Sequence, residues 1–462
     1  MDVPETPREL PRVLSLKDAT MLVVSSVIGV GIFFTPGGVA KLLPSPGWFF
    51  AAWLMGGLLA LAGALANAEL GAMFPRAGGN YVYLRAAYHP MAGFLVGWLS
   101  FFAIFTGTVA TLALGVSRSL AGFFPMGATA QLVIAVVVIV LCSLVNAWET
   151  KAGAALNTST AYLKVAAMVA LVVAGPLFGH ANAPADAFRS LATPTVSAFG
   201  LALSPVIFSY LGWNASVFVA GEIDEPEKNL PRSLFVGLAI CTAIYVLLTG
   251  TFVYALGMER LAGTINAGEA TAKVLLGPVG GTLTQVLVLV SVLGCLNANV
   301  LIGPRIAFAM ASDGLFFRAA SRVSARGRTP YLAIAVQAIA ATALILWFGV
   351  GAEAAAAQDS LRSVLDYTTF AIVLATIADT SALYVLRVRA PSRPRPYRAA
   401  GYPWVPLLYI LANLAIGVSM VVAQPKECLT GTLVLAAGAP VYLLFTRGKR
   451  AGDGGAPPAL DP

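Results

Sequence analysis

The stretch DATMLVVSSVIGVGIFFTPGGVAKL, residues 18–42, is apolar for long enough to cross about 30 Å of hydrocarbon, yet it carries Gly29-Val30-Gly31 near its middle. Glycine weakens a helix at the depth where continuous hydrogen bonding is hardest to give up. A second stretch, AFGLALSPVIFSYLGWNASVFVA at 198–220, repeats the pattern with Ser204-Pro205 and then Gly212-Trp213-Asn214. Two interrupted spans about 180 residues apart are the sequence sign of inverted repeats, with spans one to five mirrored by six to ten and a ligand held between the breaks. Helix-end N–H groups at the first break attract a carboxylate, and carbonyls freed at the second attract an ammonium group. The complementary ligand has the shape of an amino acid. Taken singly, either set of glycines could merely permit close helix packing, as the G-x-x-x-G pair Gly93 and Gly97 would; their occurrence at corresponding positions favours paired breaks.

The rest of the chain fits a bilayer. Of 462 residues, 58% are hydrophobic and 11% charged, against roughly 25% charged in an ordinary soluble domain, and the mean hydropathy is +0.82. Apolar side chains in that proportion must face lipid or other buried helices, which excludes a soluble enzyme. The 45 glycines and 28 prolines follow no collagen period and suit spans that pack closely or break. A net charge of +8 does not point to nucleic acid, because the 29 Lys and Arg residues form short clusters between long apolar runs and act as topology signals. Cys142, Cys241, Cys295 and Cys428 are widely spaced, the first three inside apolar runs, so neither a disulfide framework nor a metal site is expected. The first run follows a charged tail without a small-residue cleavage site and reads as a retained span, not a signal peptide.

Apolar runs predict twelve spans, at 18–42, 47–72, 90–122, 130–147, 154–178, 198–220, 233–257, 279–311, 331–349, 363–386, 403–422 and 431–445. With the N-terminus cytoplasmic, twenty Lys and Arg residues lie in cytoplasmic segments and seven on the outer side, with Lys164 and Arg305 inside spans. That bias places both termini in the cytoplasm and requires an even number of spans in the cytoplasmic (inner or plasma) membrane. The expected organisation is a cytoplasmic tail at 1–17, a first repeat at 18–178, a second at 198–386, a further pair of spans at 403–445 and a cytoplasmic tail at 446–462.

Lys164 lies about ten residues into the fifth span, too deep to snorkel comfortably to either interface, so it should face the bundle interior. It can serve as a positive charge in the place of a bound cation, or as a structural donor to loose carbonyls of the first span. Glu69 and Asp366, near span ends, are expected to meet water, and Arg305 to reach the cytoplasmic mouth. Asp379 is deeper, with Thr376, Thr380 and Ser381 at hand to satisfy it. The two histidines, His89 and His180, fall in loops, and G-x-x-x-x-G-K-[ST], H-E-x-x-H and G-x-S-x-G are absent. With no nucleophile, metal cluster or acid/base pair on the spans, an enzyme is not expected, nor a cofactor.

These residues resemble the amino acid, polyamine and organocation (APC) transporter superfamily, and within it the L-type amino acid transporter-like permeases. Ile28-Gly29-Val30-Gly31-Ile32-Phe33 resembles I-G-S-G-I-F. Glu69-Leu70-Gly71 through Pro75-Arg76-Ala77-Gly78-Gly79-Asn80-Tyr81 is similar to E-L-G...P-x-[SA]-G-G-x-Y. Phe208-Ser209-Tyr210-Leu211-Gly212-Trp213-Asn214 resembles F-A-Y-x-G-W-N, and Lys228-Asn229-Leu230-Pro231-Arg232 resembles K-N-L-P-R. Gly303-Pro304-Arg305 with Ser312-Asp313-Gly314-Leu315 is similar to the family's eighth-span ending. The five motifs occur in order, and the resemblance covers about residues 14 to 400.

The resemblance implies an all-α membrane protein of twelve transmembrane helices, a five-plus-five inverted repeat (LeuT-like) with two additional C-terminal helices, and alternating access around a central amino acid. It implies that backbone N–H groups around Ile28, Gly29, Val30 and Gly31 hold the carboxylate and that carbonyls near Phe208, Ser209 and Leu211 hold the amine. Phe208, Leu211, Trp213 and Asn214 would form the side-chain pocket, with Phe208 as gate, and Lys164 would fill the place that sodium takes in sodium-coupled relatives. Three positions depart from the pattern: Val30 replaces a Ser, Gly221 stands where relatives often have the first of two Glu residues, with Glu222 retained, and residues 123–129 lack the cysteine that links animal members to an accessory glycoprotein. The expected activity is sodium-independent exchange or proton-linked uptake of neutral amino acids. The bulk of Leu211, which brings no counter-charge, favours small to medium ones. Polyamine, cationic amino-acid or organic-cation transport on the same fold is the nearest alternative, and a transporter-like amino-acid receptor a more distant one.

Overall fold

The computed structural model describes residues 10–178, 194–349 and 354–452; the ends of both tails, His180 and the side chain of Asp366 lie outside the described residues. Ser15 opens the first helix, α1 (Leu16–Val27), through a capping box: its hydroxyl accepts the Asp18 N–H while the Asp18 carboxylate accepts the Ser15 N–H at 3.1 Å. The helix stops at Ile28 and resumes, bent by 46°, as α2 (Gly31–Leu42). There follow α3 (Pro46–Met73), the short α4 (Asn80–Ala87), and α5 (Pro90–Leu99), which runs through a π turn at Ser100–Phe105 into α6 (Thr106–Ala121). Next come α7 (Ala128–Trp148) and α8 (Thr150–Phe178), and then α9 (Val196–Ser209) and α10 (Ala215–Phe218) on either side of a second break. The chain continues through α11 (Pro226–Ala262), α12 (Ala267–Ser312), α13 (Tyr331–Gly349), α14 (Ala354–Arg389), α15 (Trp404–Ala423) and α16 (Pro425–Gly452). Among the described residues there is no β-strand, only an isolated parallel bridge between Leu14 and Ile223.

Nine of these helices, counting α5–α6 through its π turn as one and taken among the described residues, are long and apolar enough to cross a membrane, and the bent α1–α2 pair makes a tenth. The two remaining expected spans coincide with α9–α10, where each piece is too short to cross alone, and with α13, whose apolar part Tyr331–Trp347 is slightly short. The protein is therefore an all-helical, multi-pass membrane protein. Its centre is α12, which buries 72% of its apolar window inside the protein; α15 buries 17% and leaves most of its surface for lipid. Around α12 pack α1, α2, α6, α8 and α11, so that both breaks lie in the core and not at its rim.

Glu69, expected to meet water, and Arg305, expected to reach the cytoplasmic mouth, are instead sealed. Glu222 and Arg305 are both fully buried and form a two-point pair, Nε to Oε1 at 2.7 Å and Nη2 to Oε2 at 3.0 Å, while Arg305 Nη1 donates to the Leu301 carbonyl at 2.6 Å. Arg305 therefore does not reach the mouth. The carbonyl of Glu222 also accepts the N–H groups of Val13 and Leu14, both at 2.8 Å, and so ties the N-terminal segment beneath the second break. Glu69 is buried too, because Arg387 donates to both its oxygens, Arg395 lies at 3.3 Å and the Ala399 N–H donates at 2.7 Å. Each charge found a partner from a distant part of the chain, which a count of residues from the span end does not reveal.

Removing one member of a buried ion pair leaves the other uncompensated, at a cost of about 3–5 kcal/mol. Arg305→Met should therefore lower the melting temperature of the detergent-solubilised protein sharply, and the double variant Arg305→Met with Glu222→Gln should recover much of the loss. Equal melting temperatures for the parent and Arg305→Met would mean that the pair holds nothing together.

Candidate functional site

The first break exposes both kinds of backbone group, as helix ends must. The Ile28 N–H still bonds the Val24 carbonyl at 2.9 Å and the Gly29 N–H the Val27 carbonyl at 2.8 Å, so these two donors are spent. Those of Val30 and Gly31 make no hydrogen bond among the described residues. They mark the positive end of α2. The expected carboxylate-facing set of Ile28, Gly29, Val30 and Gly31 thus contracts to the N–H groups of the last two residues.

On the other side of the break, the carbonyls left at the end of α1 are taken by Lys164. Its ammonium, at zero exposure on α8, donates to the Ser25 carbonyl at 3.1 Å, the Ile28 carbonyl at 3.0 Å and the Ser25 hydroxyl at 3.3 Å. A cation at the negative end of a helix is the favourable arrangement, and three oxygens use all three ammonium donors. Cys295 of α12 adds a thiol donor to the Ser25 carbonyl at 2.9 Å. Space for the lysine stem comes from Gly294, where a β-carbon would fall 2.8 Å from Lys164 Cε. Lys164 thereby joins α1, α8 and α12.

The second break opens later than its Ser204-Pro205 pair predicts. The helix carries Pro205 inside it and runs to Ser209, and the chain unwinds over Tyr210–Asn214. Gly212 turns the chain at φ +95°, a region that residues with a β-carbon rarely occupy, and a β-carbon there would meet the Ser26 carbonyl oxygen at 2.8 Å. The two breaks therefore touch. Gly31 makes the other contact, since a β-carbon on it would lie 2.6–2.9 Å from Ser209 Oγ, Cα and Cβ. The Thr35 and Ser209 hydroxyls complete this seam at 3.1 Å.

The carbonyls expected to receive an amine are partly engaged. That of Phe208 accepts the Leu211 N–H at 3.2 Å, and that of Ser209 lies 2.9 Å from the hydroxyl of Tyr245, which lies 2.9 Å from the Val27 carbonyl as well. One phenolic proton is shared between the last carbonyls of α1 and α9. Tyr245 is fully buried, edge-on to Trp53 and Tyr210 at ring-centre distances of 5.7 and 5.0 Å. Sequence reasoning missed it because it sits in an ordinary apolar run; the usable signal was that a mid-span phenol needs a polar partner.

The residues expected to form the side-chain pocket face elsewhere. Phe208, Leu211 and Trp213 line a cavity of about 500 Å³ between α3, α9, α14 and α15, together with Thr376, Tyr409 and Asn413. Neither Asn214 nor Ile28 to Gly31 lines it. The helical period explains the separation: Ser204, Pro205, Ile207 and Phe208 share one face of α9, with Leu211 of the unwound segment lining the same cavity, while Ser209 points to α2. None of the lining residues is charged. Among the described residues, no group of three or more His, Cys, Asp or Glu side chains could hold a metal ion.

Two opposed helix breaks, one latched by a buried lysine, meet at the core of a multi-pass helical membrane protein. The chain belongs to the amino acid permease family, which it matches over residues 14–445. It is similar to the serine/threonine exchanger SteT of Bacillus subtilis (strain 168), at 31% identity over 437 residues, 94% of this chain and 96% of that protein. It is also similar to Asc-type amino acid transporter 1 of Mus musculus, at 27% identity over 95% of this chain and 82% of that one. Large neutral amino acids transporter small subunit 2 of Homo sapiens is 26% identical over 94% of this chain and 80% of its own.

Tyr245→Phe removes the hydroxyl shared by the two helix ends and leaves buried carbonyls short of a donor, a cost of about 1–3 kcal/mol. The variant should insert normally, melt at lower temperature in detergent and gain less thermal protection from a bound amino acid than the parent. Melting and ligand protection both equal to the parent's would remove Tyr245 from the site.

Proposed function

We propose that this protein is a secondary transporter of neutral amino acids, small to medium in size, that works without sodium by exchange or proton-linked uptake through alternating access. In this reading twelve spans, arranged as a five-plus-five inverted repeat with two further helices, lie in the cytoplasmic membrane with both termini inside. The observation that carries it is the seam between the breaks, where the open N–H groups of Val30 and Gly31 stand beside Ser209 and the partly free carbonyls of α9. A zwitterion satisfies both ends at once. The relatives agree in kind: one is named for serine and threonine, both small and neutral, and another for large neutral amino acids. The uncharged lining of the cavity beside Leu211 speaks against lysine, arginine and polyamines, since a buried cation without a partner costs several kcal/mol after relaxation. No covalently attached accessory glycoprotein is proposed, because residues 123–129 offer no cysteine for it.

Sodium independence follows from Lys164, whose ammonium already occupies the carbonyls a cation would seek. Uptake into proteoliposomes should be unchanged when choline replaces sodium, whereas loss of most activity would refute the reading. Lys164→Ala should abolish transport while the protein still inserts and melts cooperatively.

Specificity is tested by counterflow with labelled alanine, serine, leucine, tryptophan, lysine and arginine. Small and medium neutral substrates should exchange fastest, and cationic substrates outcompeting them would overturn the assignment. Leu211→Asp should raise acceptance of lysine or arginine, and Leu211→Gly should admit bulkier neutral residues. A ranking unmoved by both variants would exclude Leu211 from the substrate's path.

A further inference from the structure

Asp379 of α14 is 1% exposed, and no hydrogen bond or ion pair links its carboxylate to any described residue; its Oδ1 is wholly buried. The neighbouring threonines and serine do not satisfy it, contrary to what their spacing predicts, and the Thr380 hydroxyl is itself buried without a partner. Two more unpartnered oxygens, Tyr83 Oη and Asn67 Oδ1, lie on the adjoining elements. The α3 stripe at Gly63, Asn67 and Gly71 places them: a β-carbon at Gly63 would meet Tyr409 and Trp213 at 2.6 Å, and one at Gly71 would meet the Tyr83 hydroxyl at 3.0 Å. Asn67 stands one turn from each.

The helices packed against α14 include α4, which carries Tyr83, and α15, whose Tyr409 lines the cavity together with Thr376, one turn before Asp379. Among the described residues no ion pair reaches it, and Arg85 of α4, the charged residue on that neighbouring helix, is paired with Asp313. The nearest charged cluster on its own helix begins at Arg387, eight residues or about 12 Å along, and is closed on Glu69. An isolated ionised carboxylate is the most expensive species to bury at such a place, so in this conformation the group holds its proton. Release then requires an arrangement that admits water or a partner. The link to the moving part is short: the Tyr409 ring packs edge-on to Trp213, inside the second break, at 6.2 Å.

We propose that Asp379 is the proton-binding group of the transport cycle, taking one proton from the side on which substrate enters and giving it up on the other, with Tyr409 and Trp213 relaying the change to the second break. No bond other than the carboxyl O–H is made or broken, and one positive charge crosses with each proton. The inference rests on the transport reading and selects proton-linked uptake over pure exchange.

The test uses the full-length protein in proteoliposomes loaded with a pH-sensitive dye, with alanine or serine as probe. Counterflow at equal pH on both sides measures transport alone and decides that reading by itself. An acid-outside gradient should stimulate net uptake by the parent several-fold, with acidification of the lumen when substrate is added. Asp379→Asn, an uncharged likeness of the protonated acid, should keep counterflow and lose both the stimulation and the acidification. Infrared difference spectra should likewise lose a protonated-carboxyl band in the variant. A parent indifferent to the gradient, or a variant with the parent's pH profile, would overturn the proposal. So would a variant that changes the ranking of lysine against alanine while its pH profile stays fixed, since Asp379 would then be a substrate counter-ion. Should the Asn variant fail to assemble, Asp379→Glu decides: a displaced pH midpoint supports the assignment and an unmoved one refutes it.

Discussion

A helix interrupted inside hydrocarbon leaves backbone groups that water cannot reach, and everything at the centre of this protein answers that constraint. At the end of α1 the carbonyls of Ser25 and Ile28 take the Lys164 ammonium, Ser25 also takes the Cys295 thiol, and Val27 shares the Tyr245 hydroxyl with Ser209. Three helices, α8, α11 and α12, thus each contribute a donor to one frayed end. The donors at the start of α2 receive no such help. This imbalance leaves the break with its acceptors closed by the protein and its donors open, the arrangement that the proposed carboxylate site requires.

The same accounting separates the buried acids. Glu222 and Glu69 are neutralised by arginines that approach from elements far along the chain, and both pairs also anchor backbone: the N-terminal segment at Glu222 and Ala399 at Glu69. These pairs brace the bundle where spans end. Asp379 has neither an arginine nor a backbone donor among the described residues, and it stands one turn from Thr376, which lines the cavity with Tyr409 and Trp213. A group that the fold could have paired and did not is tied more readily to a changing state than to a fixed one.

Much of this was legible in the sequence because its signals are local. The lengths of the apolar runs gave the helices, Gly29 to Gly31 gave the first break to within a residue, and the depth of Lys164 required it to face inward. What depended on the relative rotation of helices was not legible. Pro205 looked like a breaker but stays within α9, because neighbouring helices can hold a bent span together. The burial of Glu69 and Arg305 needed partners 318 and 83 residues away. Tyr245 carried no motif at all, and its role appears only once the ends of α1 and α9 are brought to the same point.

The two flanks of α9 bear on substrate size. Ser209 faces the first break, while Phe208, one residue before it, and Leu211, in the unwound segment just after it, face the cavity. An amino acid whose charged groups occupy the seam must send its side chain around the end of α9, past Leu211, to reach that space. A hydroxymethyl or methyl group ends before the turn and needs no opening, whereas a long chain must displace Leu211 or move the unwound segment. Under the proposed function, selection by length would arise from helix rotation alone, with no contact at the far end of the side chain. Because even a β-carbon at Gly212 would fall 2.8 Å from the Ser26 carbonyl oxygen, the segment has little room to yield toward α1. Any widening has to come from the α14–α15 side, where Tyr409 and Asp379 stand.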